Sequence, residues 1–284
     1  MSASDGAPGR VSAPRATRVP STFALLAAWM GASLRPVRAP PRAALLRPAW
    51  RRCAWGGVLV AVAIVAAMVL IDAAAIRWVN RFPTWLNTAF NEFTDFGQAQ
   101  WFLVPFGIVY LAVVVAASTQ VGRFAYGVLG TLAVRFGFMF LAICLPGLAG
   151  TVVKRLIGRV RPSELGPYAY EPLSWRTEYA SLPSGHTTIA FAALVAVGAV
   201  FPRARAILWV YAVLIALSRV VVSTHFPSDT IAGAAFGAFG AILVRDWFAA
   251  RRLGFYIGSD GAVRPLPGPS WRRIKRVARA TFGQ

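Results

Sequence analysis

Six apolar runs of near-spanning length dominate the 284-residue chain, at approximately 54–71, 101–118, 130–150, 184–201, 206–222 and 230–247. About 20 apolar residues cross the hydrocarbon of a bilayer, with roughly 17 as the lower limit. The runs therefore predict an all-α, polytopic membrane bundle of about six transmembrane helices, the fourth and fifth near that limit. Only 14% of the residues are charged, against roughly 25% in a typical soluble domain. That balance excludes an ordinary soluble enzyme, a disordered chain and a disulfide scaffold. Arg135 lies one turn inside the third run and is expected to snorkel to the nearer interface. Pro146 and Gly147 are expected to bend that helix. Gly233, Gly237 and Ala241, four apart, give the sixth run a smooth face for close helix packing.

The formal net charge is +20. In a soluble chain this would point to nucleic acid. Here topology accounts for it. With the N-terminus inside, 21 Lys and Arg fall in inner segments and eight in outer ones, and seven of the ten acids fall outside. The positive-inside rule then places both termini in the cytoplasm of the cell (inner) membrane and removes the need for a nucleic-acid partner. Three regions are expected: a basic, largely flexible arm over 1–52, a six-span domain over 53–247, and a basic cytoplasmic tail over 248–284. The basic ends could also attract anionic inner-leaflet lipids. Phe23–Met30 reads as the apolar part of a signal segment or as an interfacial helix, and the six Arg that follow suit a retained arm better. The outer segment 72–100 is rich in aromatics, whose expected role is anchoring at the interface. Cys53 and Cys144 fall near opposite faces, too far apart for a disulfide.

Scarce residue types mark the chemistry. Of the 30 basic residues only two are Lys, and the chain has two His. Lys154, His186 and His225 all lie at outer ends of spans, near Arg161, Arg219, Ser184, Gly185 and Asp229. Cations beside apolar spans need an anionic partner. The acids of the loop 163–182 would serve, but Arg also suits bidentate phosphate binding and Lys serves phosphate as a point charge. Pro183–Ser184–Gly185–His186 opens the fourth span. Its free N–H groups make an anion site, although Ser184 also reads as a plain helix cap. Asp229 lies four residues after His225. If winding begins near Pro227, its carboxylate can fold back on one ring nitrogen and leave the other free to attack.

Three parts of the sequence resemble the signature of the type 2 phosphatidic acid phosphatase superfamily. They are Lys154 through Arg161–Pro162, Pro183–Ser184–Gly185–His186, and Ser218–Arg219 with His225 and Asp229. The resemblance implies a membrane lipid phosphate phosphatase with its site at the outer membrane–water interface. It implies His225 as the nucleophile that forms a phosphohistidine, Asp229 as its orienting carboxylate and His186 as general acid and then base. It implies Lys154, Arg161, Ser184, Gly185 and Arg219 as the phosphate pocket, with no metal or other cofactor. Phosphatidate-type lipids, undecaprenyl diphosphate and the phosphates of lipid A compete as substrates. A lipid-phosphate transporter or non-catalytic scaffold is the alternative, and the soluble vanadium-dependent haloperoxidases, which share the pocket, fit the apolar spans poorly. Oligomeric state is not legible in the sequence.

Overall fold

The structure, a computed structural model, describes residues 21–34, 36–37, 43–119, 122–164 and 166–282. Ten helices and one small hairpin are found among them. They are α1 (Thr22–Ser33), α2 (Ala43–Leu70), α3 (Asp72–Val79), α4 (Thr84–Thr94), α5 (Gln100–Ser118), α6 (Arg123–Ile157), α7 (Gly185–Val200), α8 (Arg205–Val221) and α9 (Pro227–Ala250). The strands β1 (Phe255–Ile257) and β2 (Val263–Pro265) and helix α10 (Trp271–Phe282) follow.

Each of the six apolar runs lies on a helix, but the count of six crossings is not reproduced. Four spans are long and apolar enough to cross a membrane: Thr84–Ser118, Arg123–Ile157, Pro202–Val221 and Pro227–Ala250. A fifth is a pair, Ala54–Leu70 and Asp72–Val79, bent by 55°. Helix α7, at 16 residues, falls short of the length a straight crossing requires. Ten of its residues are nonetheless buried, so α7 is shielded by its neighbours instead of facing lipid along its length.

α7 packs most closely on α9. A side-chain carbon at Gly233 would sit 2.6 Å from the Ser184 carbonyl oxygen, and one at Gly237 would strike the Thr188 carbonyl. The four-residue glycine spacing does what the sequence suggested: it brings two backbones into contact. Phe138, Met139, Ile143, Ala192, Ala196 and Ala241 form the core shared by α6, α7 and α9. α6 runs through Pro146 and Gly147 as one 35-residue helix.

The segment after α9 is ordered against the bundle. Phe255 of β1 stacks edge-on to Phe138 at 4.7 Å. The Arg135 guanidinium donates to the Leu266 carbonyl at 2.7 Å, so this intramembrane cation is held by the returning chain. Leu25 of α1 and Val277 of α10 pack with Val114 and Val128. The expected arm over 1–52 thus contains α1 and the first turns of α2, while its residues 1–20 lie outside the described residues.

Candidate active site

Local backbone chemistry carries the candidate residues to one end of the bundle. α6 ends at Gly158, which adopts φ +61°. A side chain there would collide with the Glu171 carbonyl, so the turn needs glycine. Beyond it, Val160 N–H donates to Ala169 O at 3.0 Å, Arg161 N–H to Glu178 O at 2.8 Å, and Ser181 N–H to Arg159 O at 3.1 Å. These bonds fold the loop 163–182 back over the end of α6. Ser184 N–H then donates to the Asp229 carbonyl at 3.0 Å, which joins the start of α7 to the start of α9. At the end of α8, the amides of Thr224 and His225 both donate to Arg219 O, at 3.2 and 3.1 Å.

His225 is 2% exposed and Asp229 is fully buried. Helical winding does begin at Pro227, and Asp229 turns back: its Oδ2 accepts the Phe226 N–H at 2.9 Å. His225 Nδ1 lies 3.8 Å from that same oxygen, beyond hydrogen-bond length. Ser181 fills the gap. Its hydroxyl donates to Asp229 Oδ2 at 2.6 Å and stands 3.4 Å from His225 Nδ1. An Nδ1–H facing these two oxygens leaves Nε2 with the free lone pair. Burial pushes the His225 ring down to about 4, against the opposing pull of Asp229, so the ring is neutral at physiological pH.

His186 is half-buried on the first turn of α7. Arg219, His225, Lys154 and Arg161 all act on it electrostatically. A carbon added to Gly97 would lie 3.0 Å from the His186 ring, and one added to Gly185 would lie 3.1 Å from Lys154 Nζ. The Lys154 ammonium therefore rests over the start of α7. A cavity of about 310 Å³ opens beside His186, lined mainly by Leu103, Gly147, Leu148 and Ile189.

Two arginines of the site keep an open donor. Arg161 Nε and Arg219 Nε are buried and have no hydrogen-bond partner among the described residues, as is the case for Arg251 Nε after the end of α9. Buried donors are almost always satisfied, and charged ones are the most expensive to leave open. An oxyanion held between Arg161, Arg219 and Lys154 would meet that demand. Burial, then Arg155, draws Arg161 below its ordinary pKa, as expected of a cation awaiting its counter-ion.

Ser184 behaves differently from a cap. Its side chain makes no capping bond. The fully buried hydroxyl instead takes a hydrogen bond from Thr187 Oγ1 at 3.1 Å. No group of three or more His, Cys, Asp or Glu among the described residues is placed to hold a metal ion.

Five groups at the site carry no sequence signature. Thr94, at the end of α4, accepts Arg219 Nη1 and the Ser218 hydroxyl, both at 2.9 Å. Gly97 abuts His186. Ser181 bridges the His–Asp pair. Asp72 and Arg159 form a buried ion pair at 2.8 Å, and Arg159 reaches Asp229 Oδ1 at 2.6 Å. The aromatic segment read as an anchor is therefore also a wall of the site. Two unassigned charges, Asp72 and Arg159, were a hint available in the sequence.

The model of the PAP2 superfamily matches residues 135–253. A lipid A 1-phosphatase of Rhizobium johnstonii is 29% identical over 229 residues, covering 76% of this chain and 86% of that protein. A lipid A 1-phosphatase of Rhizobium etli is 28% identical over 211 residues, covering 70% and 86%. A transmembrane PAP2-type phosphatidylglycerolphosphate phosphatase from Bacillus subtilis, solved by crystallography, is 22% identical with a TM-score of 0.47, covering 67% of this chain and 94% of that one.

Proposed function

We propose that this chain, which the PAP2 superfamily model matches over residues 135–253, is a membrane lipid phosphate hydrolase that works through a phosphohistidine on His225. The observation that carries the reading is the pair of unsatisfied guanidinium donors, Arg161 Nε and Arg219 Nε, at the same end of the bundle as two imidazoles and Lys154.

In the first half-reaction His225 Nε2 attacks phosphorus. The N–P bond forms as the P–O bond to the leaving group breaks, and His186 gives its proton to the departing oxygen. Charge spreads over the equatorial oxygens, where Lys154, Arg161, Arg219 and the amides opening α7 stabilise it. In the second half-reaction His186 takes a proton from water, whose oxygen attacks phosphorus. The N–P bond breaks and its electron pair returns to His225. Asp229, with the Ser181 hydroxyl, faces the positive ring of the intermediate.

The lipid A 1-phosphatase relatives favour the 1-phosphate of lipid A as substrate. The apolar cavity beside His186 suits the leaving-group side of a lipid. Positive-inside charge supports an inner-membrane protein with both termini cytoplasmic and the site on the outer face. The test is phosphate release by purified protein in detergent, with chelator present, from lipid A, phosphatidate, phosphatidylglycerol phosphate and undecaprenyl diphosphate. Lipid A is expected to be turned over fastest, and vanadate to inhibit. No release from any of the four would overturn the reading, and faster release from another lipid would reassign the substrate.

A further inference from the structure

Arg159 and Asp72 lie outside the phosphate pocket, yet each side chain has no exposed surface. Buried charges persist only where partners satisfy them, and here the partners converge on Asp229. Asp72 comes from the first turn of α3, just past the 55° bend that follows α2. It lies outside the stretch matched by the superfamily model. Its Oδ2 accepts Arg159 Nη2 at 2.8 Å and the Ser228 hydroxyl, and its Oδ1 accepts the Ser228 N–H at 3.0 Å. Arg159 Nη1 donates to Ser228 Oγ and to Asp229 Oδ1, both at 2.6 Å. The guanidinium also lies 4.4 Å from the centre of the Phe226 ring. The first turn of α9, which carries the orienting carboxylate, is thus clamped from the far side by residues of α3 and of the turn after α6.

The charges matter as much as the geometry. Two carboxylates share one guanidinium, which leaves the cluster a net charge of −1. If Asp72 were neutral, Arg159 would cancel Asp229. The ring of His225 becomes cationic when Nε2 bonds phosphorus, because Nδ1 keeps its proton. That cation needs the remaining negative charge.

We propose that Asp72 and Arg159 are positioning residues for the phosphoryl transfer. They fix the Asp229 carboxylate, and Asp72 leaves the cluster the one negative charge that faces the phosphorylated His225. The inference rests on the phosphohistidine reading above. A purely structural tie between α3 and α9 would make the same contacts, so the test must separate kcat from folding.

The experiment uses the full chain in detergent and the lipid phosphate that it turns over fastest. Asp72→Asn keeps the shape and removes the charge. It is expected to unfold cooperatively, to hold KM within about twofold, and to lose about 30-fold in kcat. That loss is smaller than the roughly 10⁴-fold drop when the carboxylate of a Ser-His-Asp triad is itself neutralised. Arg159→Lys keeps the charge, but an ammonium lacks the planar fork that reaches two carboxylates. It is expected to lower kcat at least tenfold with KM held. Wild-type kcat in either variant, once folded, would overturn the proposal, as would failure of both to fold, which assigns the pair to stability alone. His225→Ala is measured alongside. If that variant stays active, the phosphohistidine reading itself falls. If it is dead while Asp72→Asn and Arg159→Lys turn over normally, only the positioning role falls.

Discussion

Two stretches of the chain build this site, and they differ in how they specify it. Residues 154–229 carry Lys154, Arg161, His186, Arg219, His225 and Asp229 at fixed spacings on four helix ends. Residues 72–97 carry no motif, yet they supply Asp72 to Arg159, Thr94 to Arg219 and Gly97 to His186. The first stretch provides the groups proposed to touch phosphate, and the second holds those groups in place. Chemistry demands particular residue types in the first. In the second it demands only an acceptor, a carboxylate or an absent side chain at the right point in space.

The largest expected effect lies in the first stretch. His225→Ala should lower kcat by about 10⁴-fold or more, as loss of a nucleophile does, while thermal unfolding in detergent shows the fold retained. Phosphate release at the wild-type rate would break the division of roles outright.

The second stretch is tested next. Thr94→Val removes the acceptor for a buried guanidinium and for the Ser218 hydroxyl. An unsatisfied buried donor costs about 1–3 kcal/mol, so substrate KM should rise by about 10-fold if Arg219 grips phosphate. Unchanged kinetics would reduce α4 to an anchor. Gly97→Ala places a methyl 3.0 Å from the His186 ring and 2.9 Å from Ile215. Because small misplacements of catalytic groups are costly, kcat should fall by roughly 10-fold with little change in KM.

A smaller effect should appear in stability. The His225 ring is held near 4 in the fold, against about 6.5 in an unfolded chain. The unfolded state therefore binds the extra proton first. His225 contributes stability fully above about pH 6.5 and loses it progressively as pH falls towards 4. The unfolding temperature of the wild type should decline across that window more than that of His225→Ala. Equal declines would contradict the burial of a neutral ring. The smallest effect is expected at Trp85, 69% exposed on α4. Trp85→Ala should leave kcat within about twofold, which would separate the anchoring aromatics of this stretch from its buried polar groups.

The sequence made the first stretch legible because scarce residues stood at set spacings. It placed all six apolar helices and the glycine face of α9 as well. It did not reveal that α7 is too short to cross alone, because a 16-residue helix with ten buried residues and a full lipid-facing span both read as one apolar run. The break between α2 and α3 falls where the first apolar run ends at residue 71, although no Pro or Gly marks it. Ser184 read as phosphate ligand or cap by type; its hydroxyl makes no capping bond and accepts from Thr187, which leaves its own proton to donate. Asp72 and Arg159 are 87 positions apart, and no local pattern links residues that meet only after the bundle closes.

The most direct test of the central claim is rapid quench of wild type, His186→Ala and His225→Ala with substrate labelled at its phosphate. Phosphohistidine survives alkali and is lost in acid. The account predicts alkali-stable, acid-labile label on His225 in the wild type, formed and lost more slowly in His186→Ala, and none in His225→Ala. Label that persists in His225→Ala, or that resides on a hydroxyl side chain, would contradict it.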